Sequence, residues 1–233
     1  MATRAVLTDI EGTTTSISFV YDVLFPYAAV RLDEYCSQPG PGPELAEALA
    51  RLRREHAQES ASVPGLPPFG NGADYARRLM AEDRKSTGLK LLQGVIWEEG
   101  YNTGELRSHV FPDVPPALAA WREAGLRLRI FSSGSVHAQK LLFAHAEAGD
   151  LTPFFEGFHD TTTGPKKEAA SYAAIAQAYA LPAGEILFLS DVREELDAAA
   201  GAGMRTGMLV RPGNRPAEPG AHPVYRDFGQ IAP

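Results

Sequence analysis

The sequence predicts an α/β protein: a Rossmann-like doubly wound parallel sheet core with an inserted all-helical domain. Beyond Pro112, short apolar runs alternate with helix-length segments, the pattern of a parallel sheet covered by helices on both faces. Between residues 19 and about 109, four helix-length segments follow one another with no strand between them. The first apolar run, Arg4 to Thr8, has no partner nearby and must join the later sheet. A chain of 233 residues is long for one average domain and short for two, which suits one core with a sizeable insertion. The expected division is therefore a core of 1–18 with 110–233, and a helical insertion of 19–109.

Within the insertion, Phe19 to Tyr35 reads as a helix disturbed at Pro26, and Pro43 to Gln58 as a helix with proline at its start. Ala73 to Asp83 and Ser86 to Glu98 complete the four, separated by the loop-forming stretches PGPGP at 39–43 and VPGLPPFGNG at 63–72. In the core, helix Val114 to Ala124 stops at Gly125, and strand Leu126 to Phe131 and helix Val136 to Glu147 follow. A short apolar run at Phe154 to Phe158 comes next, then helix Lys167 to Ala180, strand Glu185 to Leu189, helix Arg193 to Ala202 and strand Arg205 to Val210.

Composition excludes several classes. Apolar residues make up 44% and charged residues 22%, and no run approaches the roughly 18 apolar residues of a membrane span. A formal charge of -7 with no basic cluster argues against nucleic acid, so an anionic ligand has to be held by local positive features. One cysteine, Cys36, forbids an internal disulfide or a thiolate metal cluster, and the first residues lack the pattern of a signal peptide. A cytoplasmic monomer with no membrane or nucleic-acid partner is the expectation. The six histidines show no pair at ligand spacing, and Trp97, Trp121 and the aromatics near Phe154 read as packing.

Ligands of doubly wound sheets bind at the carboxyl ends of strands. Asp9-Ile10-Glu11 follows the first strand, Ser132-Ser133-Gly134-Ser135 the second, and Ser190-Asp191, with Glu194 and Glu195, the strand EILFL. The stretch TTTGPKK at 161–167 is a fourth polar element on the same edge. Each has an ordinary explanation: a turn leaving the strand at Asp9, a serine helix cap at SSGS, and a capping box over Asp191-Val192-Arg193-Glu194. Lys166 and Lys167 read as solvated charges at a helix start, although the positive end of the helix dipole suits lysine poorly and favours an anion nearby. The four explanations would have to hold independently while the segments met by accident.

Together the four suit a phosphate ester with Mg²⁺. Asp9 and Asp191 supply the one or two carboxylates this hard ion takes. Asp9 is the candidate nucleophile, giving an aspartyl-phosphate that water cleaves. Glu11 lies on the same side of extended backbone two residues on and can serve as general acid and then base. Ser132 and Ser133 can cradle phosphoryl oxygens at a helix start, Lys166 can neutralise spreading charge, and Glu195 suits a metal-bound water.

These motifs, with FVYDVLFPYA, DRKSTGLKLLQGVIW, SSGSVHAQKLLFAH, GPKKEAASY, LFLSDVREE and LVRPGN, resemble the haloacid dehalogenase superfamily of phosphotransferases. Within it the chain is similar to the enolase-phosphatase family of methionine salvage, in which glutamate stands where the superfamily usually has its second aspartate. The resemblance implies that the insertion is a cap. It implies Mg²⁺ ligands Asp9, Asp191 and the backbone carbonyl of Glu11, and substrate contacts Ser132, Ser133 and Lys166. Lys166 is selected over Lys167 because Tyr172 follows it at the family's six-residue spacing. The implied reaction takes 2,3-diketo-5-methylthiopentyl-1-phosphate through an enol to 1,2-dihydroxy-3-keto-5-methylthiopentene and phosphate. In the insertion, Arg84, Lys85, Gln93 and Trp97 are candidate substrate contacts, with a salt-bridged, packed helix as the alternative. A general small-ester phosphatase, or a receiver-like module that merely holds phosphate or Mg²⁺, are the other readings of the same core.

Overall fold

The computed structural model describes residues 2–232. Its strands are β1 (Ala5–Thr8), β2 (Arg127–Phe131), β3 (Gly157–His159), β4 (Ile186–Ser190), β5 (Arg205–Leu209) and β6 (Val224–Tyr225). They form one sheet in the order β3-β2-β1-β4-β5-β6, and every neighbouring pair is parallel. Ala5 lies opposite both Arg127 and Ile186, which sets the register of the centre. β1 and β4 are buried at every residue, which is why AVLT and ILFLS carry no solvent-facing alternation.

The chain divides into two compact units. The first runs to Val20 and resumes at Arg107; the second is Tyr21–Leu106. The second contains α1 (Phe25–Ser37), α2 (Pro43–Ser60), α3 (Ala73–Ala81) and α4 (Thr87–Thr103). α2 buries Leu45, Ala48, Leu52 and His56, spaced three or four residues apart along one face. Ser86 caps α4 by accepting from the Leu89 amide at 2.9 Å. At Gly88 a Cβ would stand 2.5 Å from the Leu52 backbone nitrogen, so α2 and α4 meet there more closely than any side chain permits. The disturbance expected at Pro26 is present: a π-helical segment, Phe19–Leu24, runs directly into α1 and ends two residues before the proline, which lacks an amide and crowds the preceding turn.

In the first unit α5 (Val114–Glu123), α6 (Val136–Ala144), α7 (Ala169–Tyr179) and α8 (Arg193–Gly201) alternate with the strands. Leu7, Phe131 and Phe188 are fully buried against Tyr172, Ile175, Tyr179 and Leu196, and each such apolar side chain contributes roughly 1.5–3 kcal/mol. The Tyr179 hydroxyl satisfies its burial by donating to the Val6 carbonyl at 2.8 Å. α7 starts two residues later than the sequence suggests, with Glu168 at its N-cap position, so Lys166 stands in the preceding turn and the helix-dipole argument for it falls away. The strand order reverses between β1 and β4, and this switch point is where doubly wound sheets open a crevice at their carboxyl ends. Among the described residues no helix is long and apolar enough to cross a membrane.

Candidate active site

Asp9 is the first residue beyond β1, and its amide continues the ladder to the Leu189 carbonyl at 2.9 Å. The chain then turns sharply. The Ile10 carbonyl accepts from the amides of Thr13, Thr14 and Thr15 at 3.2, 2.9 and 3.0 Å, and Gly12 donates to the Thr15 carbonyl at 2.8 Å. The three threonines are buried, so DIEGTTT is a packed, hydrogen-bonded loop rather than a solvated turn. Gly12 has φ +71, and a Cβ there would stand 2.3 Å from Asp191 Oδ2. Glycine is what lets the loop lie against Asp191.

Asp9 is buried, and its Oδ1 takes two strong donors: the Ile10 amide at 2.8 Å and Lys166 Nζ at 2.7 Å. Oδ2 has a longer contact from Ser190 Oγ at 3.4 Å. Lys166 reaches Glu195 Oε2 as well, at 2.7 Å, while the Ser190 hydroxyl donates to the same oxygen at 3.0 Å. Burial pulls the Lys166 ammonium pKa down, but the Asp9 and Glu195 carboxylates outweigh it and hold the group charged. Tyr172, six residues on, donates to the Lys166 carbonyl at 2.7 Å and fixes the backbone from which the lysine projects. Lys167 is exposed.

Glu195 pairs with Lys166 and Ser190 through Oε2, one turn into α8. The capping box that was the ordinary explanation for Asp191 does not form: Val192 occupies the N-cap position, and Ser190 Oγ accepts from its amide at 3.1 Å. Asp191 is thereby released from helix capping. Burial first, then the neighbouring Asp9 with a further contribution from Glu11, pushes its carboxyl up to about 7. Burial and Asp9 likewise push Glu195 up to about 7 against the opposing pull of Lys166.

At the neighbouring strand end, Ser132 is buried, its amide donates to the His159 carbonyl at 3.2 Å, and its hydroxyl accepts from the Gly134 amide at 3.2 Å. Ser135 caps α6 by accepting from Ala138 at 3.2 Å, so the ordinary reading of SSGS holds for its last serine. Phe131, just before Ser132, lies under Lys166 with Nζ 5.9 Å from the ring centre, linking the β2 end to the lysine. Gln139 anchors this loop, donating to the carbonyls of Gly134 at 2.7 Å and His159 at 2.9 Å.

The segment after β5 supplies residues that the motif reading did not single out. Arg211, buried between the rings of Phe111 and Phe228, donates to the Thr13 carbonyl at 3.1 Å and pairs through both arms with Asp113 at 2.8 Å. Asn214 donates to the Gly12 carbonyl at 2.9 Å. The only sequence signal for either was the run LVRPGN beyond a strand.

The donor set fits a hard divalent cation. Asp9, Glu11, Asp191 and Glu195 bring four carboxylates toward the one ammonium of Lys166, and Asp9 and Glu11 add to the burial that raises the Asp191 carboxyl. Among the described residues no three His, Cys, Asp or Glu side chains gather as a metal cluster.

A family model for haloacid dehalogenase-like hydrolases matches residues 3–203. Enolase-phosphatase E1 of Pseudomonas aeruginosa strain UCBPP-PA14 is 50% identical over 99% of both chains, and that of Sorangium cellulosum is 50% identical over 99% of this chain and 97% of its own. The solved structure of the UTR4 protein of Saccharomyces cerevisiae covers 98% of this chain and 100% of its own, at 35% identity and a TM-score of 0.80. With such identity running the length of both chains, this protein belongs to the haloacid dehalogenase-like hydrolases and, within them, to the enolase-phosphatases.

Proposed function

We propose that this chain is the Mg²⁺-dependent enolase-phosphatase that converts 2,3-diketo-5-methylthiopentyl-1-phosphate into 1,2-dihydroxy-3-keto-5-methylthiopentene and phosphate in methionine salvage. It is a phosphoric monoester hydrolase. The observation that carries the reading is the buried Lys166 ammonium bridging Asp9 and Glu195 at the switch point, beside an Asp191 packed on Gly12.

Asp9 attacks phosphorus, forming an aspartyl-phosphate as the bond from phosphorus to the substrate oxygen breaks. Glu11 gives its proton to the departing oxygen. It then takes one from the water that attacks the aspartyl-phosphate, which releases phosphate and regenerates Asp9. Lys166 is already pinned with its charge beside the nucleophile, so it offsets charge that spreads over the phosphoryl oxygens without reorganising. The Ser132 hydroxyl and the Ser133 side chain and amide receive those oxygens at the end of β2. Asp9, Asp191 and the Glu11 carbonyl would hold the cation, whose charge offsets the repulsion between carboxylate and phosphate. The helical insertion serves as the cap that chooses among phosphate esters. The enzyme works as a cytoplasmic monomer, a state that light scattering on the purified protein tests.

The deciding experiment follows phosphate release and enol absorbance from the diketone phosphate with and without Mg²⁺. Release should require the metal, and Asp9→Asn should stop it while enol builds up. Turnover of sugar phosphates at rates matching the diketone would replace this reading with that of a general phosphatase.

A further inference from the structure

The Asn214 amide has a fixed orientation. Its nitrogen faces two carbonyl oxygens, Gly12 at 2.9 Å and Leu209 at 3.3 Å, and turning the group over would set oxygen against oxygen at both. The amide oxygen must therefore face the other way. There it lies 3.0 Å from the point that a Cβ on Gly12 would occupy, and Asp191 Oδ2 lies 2.3 Å from the same point. Two acceptors converge, and Asn214 Oδ1 is buried with no hydrogen-bond partner among the described residues. Leaving such an oxygen unpaired costs about 1–3 kcal/mol, and buried polar atoms generally find a donor or an ordered water.

The loop that Asn214 holds is the one that carries Glu11. In a trans peptide the N–H and C=O point in opposite directions, so the Gly12 amide bonded to Thr15 aims the Glu11 carbonyl away from the Thr15 oxygen. Asn214 fixes the next carbonyl, that of Gly12, so both peptides flanking Gly12 are tied.

We infer that Asn214 is a positioning residue of the divalent-cation site, its nitrogen fixing the Gly12 carbonyl and its oxygen accepting a hydrogen bond from the cation's water shell. The inference rests on the proposed cation site at Asp9, Asp191 and the Glu11 carbonyl. It gives the RPGN segment a role: a second layer that orients the ligating loop, as outer partners orient ligands at other metal sites.

The test is Mg²⁺ binding to the full-length protein by titration calorimetry, with the unfolding temperature of the metal-free protein measured beside it. Asn214→Ala should weaken Mg²⁺ binding by about 10- to 100-fold, with the metal-free unfolding temperature lowered only by the few degrees that the lost bonds to Gly12 and Leu209 account for. Should Asn214→Ala fail to fold, Asn214→Ser, whose hydroxyl can still donate toward Gly12 but is too short to serve both ends, carries the same expectation. Affinity within about twofold of the parent, or a loss confined to metal-free stability, overturns the inference. Asp191→Asn separates the two levels of the argument. If it abolishes binding while Asn214→Ala leaves binding intact, the role of Asn214 alone falls. If Asp191→Asn leaves binding intact, or the parent binds no Mg²⁺, the cation site falls and the Asn214 inference with it.

Discussion

Lys166 and Glu195 form a buried ion pair, Nζ to Oε2 at 2.7 Å, in which Glu195 is the second anion on an ammonium already bonded to Asp9. Two carboxylates on one lysine fix its head group, which a single partner would leave free to swing. Glu195→Gln keeps the shape and an acceptor for Ser190 but removes that anchor. The variant should fold, with kcat falling on the order of 10²-fold and KM little changed, as expected when a charge-bearing group shifts from its productive position. Glu195→Ala removes the pair outright and should lower unfolding free energy by roughly 3–5 kcal/mol in urea titrations. A Gln variant with parental kcat would show that Asp9 alone positions the lysine.

The Asp113–Arg211 pair makes stability depend on pH in a defined direction. Burial pushes the Asp113 carboxyl up, but the Arg211 guanidinium and the Phe228 amide, at 2.7 Å, outweigh it and hold the group below its ordinary value. Because the folded pKa lies below the unfolded one, the contribution is complete above about pH 4 and is lost as acid carries the pH down through the folded value. The gap in unfolding free energy between the parent and Asp113→Asn should therefore be widest near neutrality and narrow as the pH drops below about 4. A gap independent of pH would assign the effect to packing.

Much of this was legible in the sequence because the relevant signals are local. Unbroken apolar runs at AVLT and ILFLS mark strands buried on both faces, and the acids and serines that end them mark the crevice. Contacts between distant segments were not legible. Nothing near Glu195 announces that it meets a lysine 29 positions earlier in the chain. β6, two residues long, is too short to show any periodicity and exists because Val224 pairs with Met208. The candidate cap contacts were ambiguous for a related reason, since Arg84 and Trp97 look the same in sequence whether they face a ligand or their own unit. Within the helical unit Arg84 pairs with Glu59, and the Trp97 indole donates to the Leu24 carbonyl at 2.8 Å, with its ring stacked on Phe25. Trp97→Phe should accordingly cost about 0.5–1.5 kcal/mol of stability and leave KM unchanged.

Gln139 should matter through the loop of Ser132 and Ser133. Its nitrogen ties the Gly134 carbonyl to the end of β3, whereas its oxygen is buried with no partner among the described residues, so the donor end alone supports the loop. Gln139→Leu preserves bulk and leaves the Gly134 carbonyl bare. Because Ser132 and Ser133 are proposed to bind substrate oxygens, KM for the phosphate ester should rise on the order of tenfold, equivalent to about 1.4 kcal/mol. Inhibition by inorganic phosphate should weaken in parallel. A rise in KM without weaker phosphate inhibition would place the effect elsewhere in the substrate.

Gly12→Ala is the most severe single change the loop offers. Its added methyl would meet Asp191 Oδ2 at 2.3 Å and Asn214 Oδ1 at 3.0 Å, and φ +71 is itself strained by about 1–2 kcal/mol for any residue with a Cβ. Three tied groups leave the loop little room to yield: the Gly12 amide on Thr15, the Gly12 carbonyl on Asn214 and the Thr13 carbonyl on Arg211. Relief must come from Asp191, which is pushed off the switch point. The variant should therefore lose phosphate release almost entirely and need far more Mg²⁺ for any thermal stabilisation, while the far-ultraviolet spectrum stays that of the folded chain. If Mg²⁺ still stabilises Gly12→Ala at parental concentrations, Asp191 and the Gly12 loop do not meet at the cation, and the proposed ligand set is wrong.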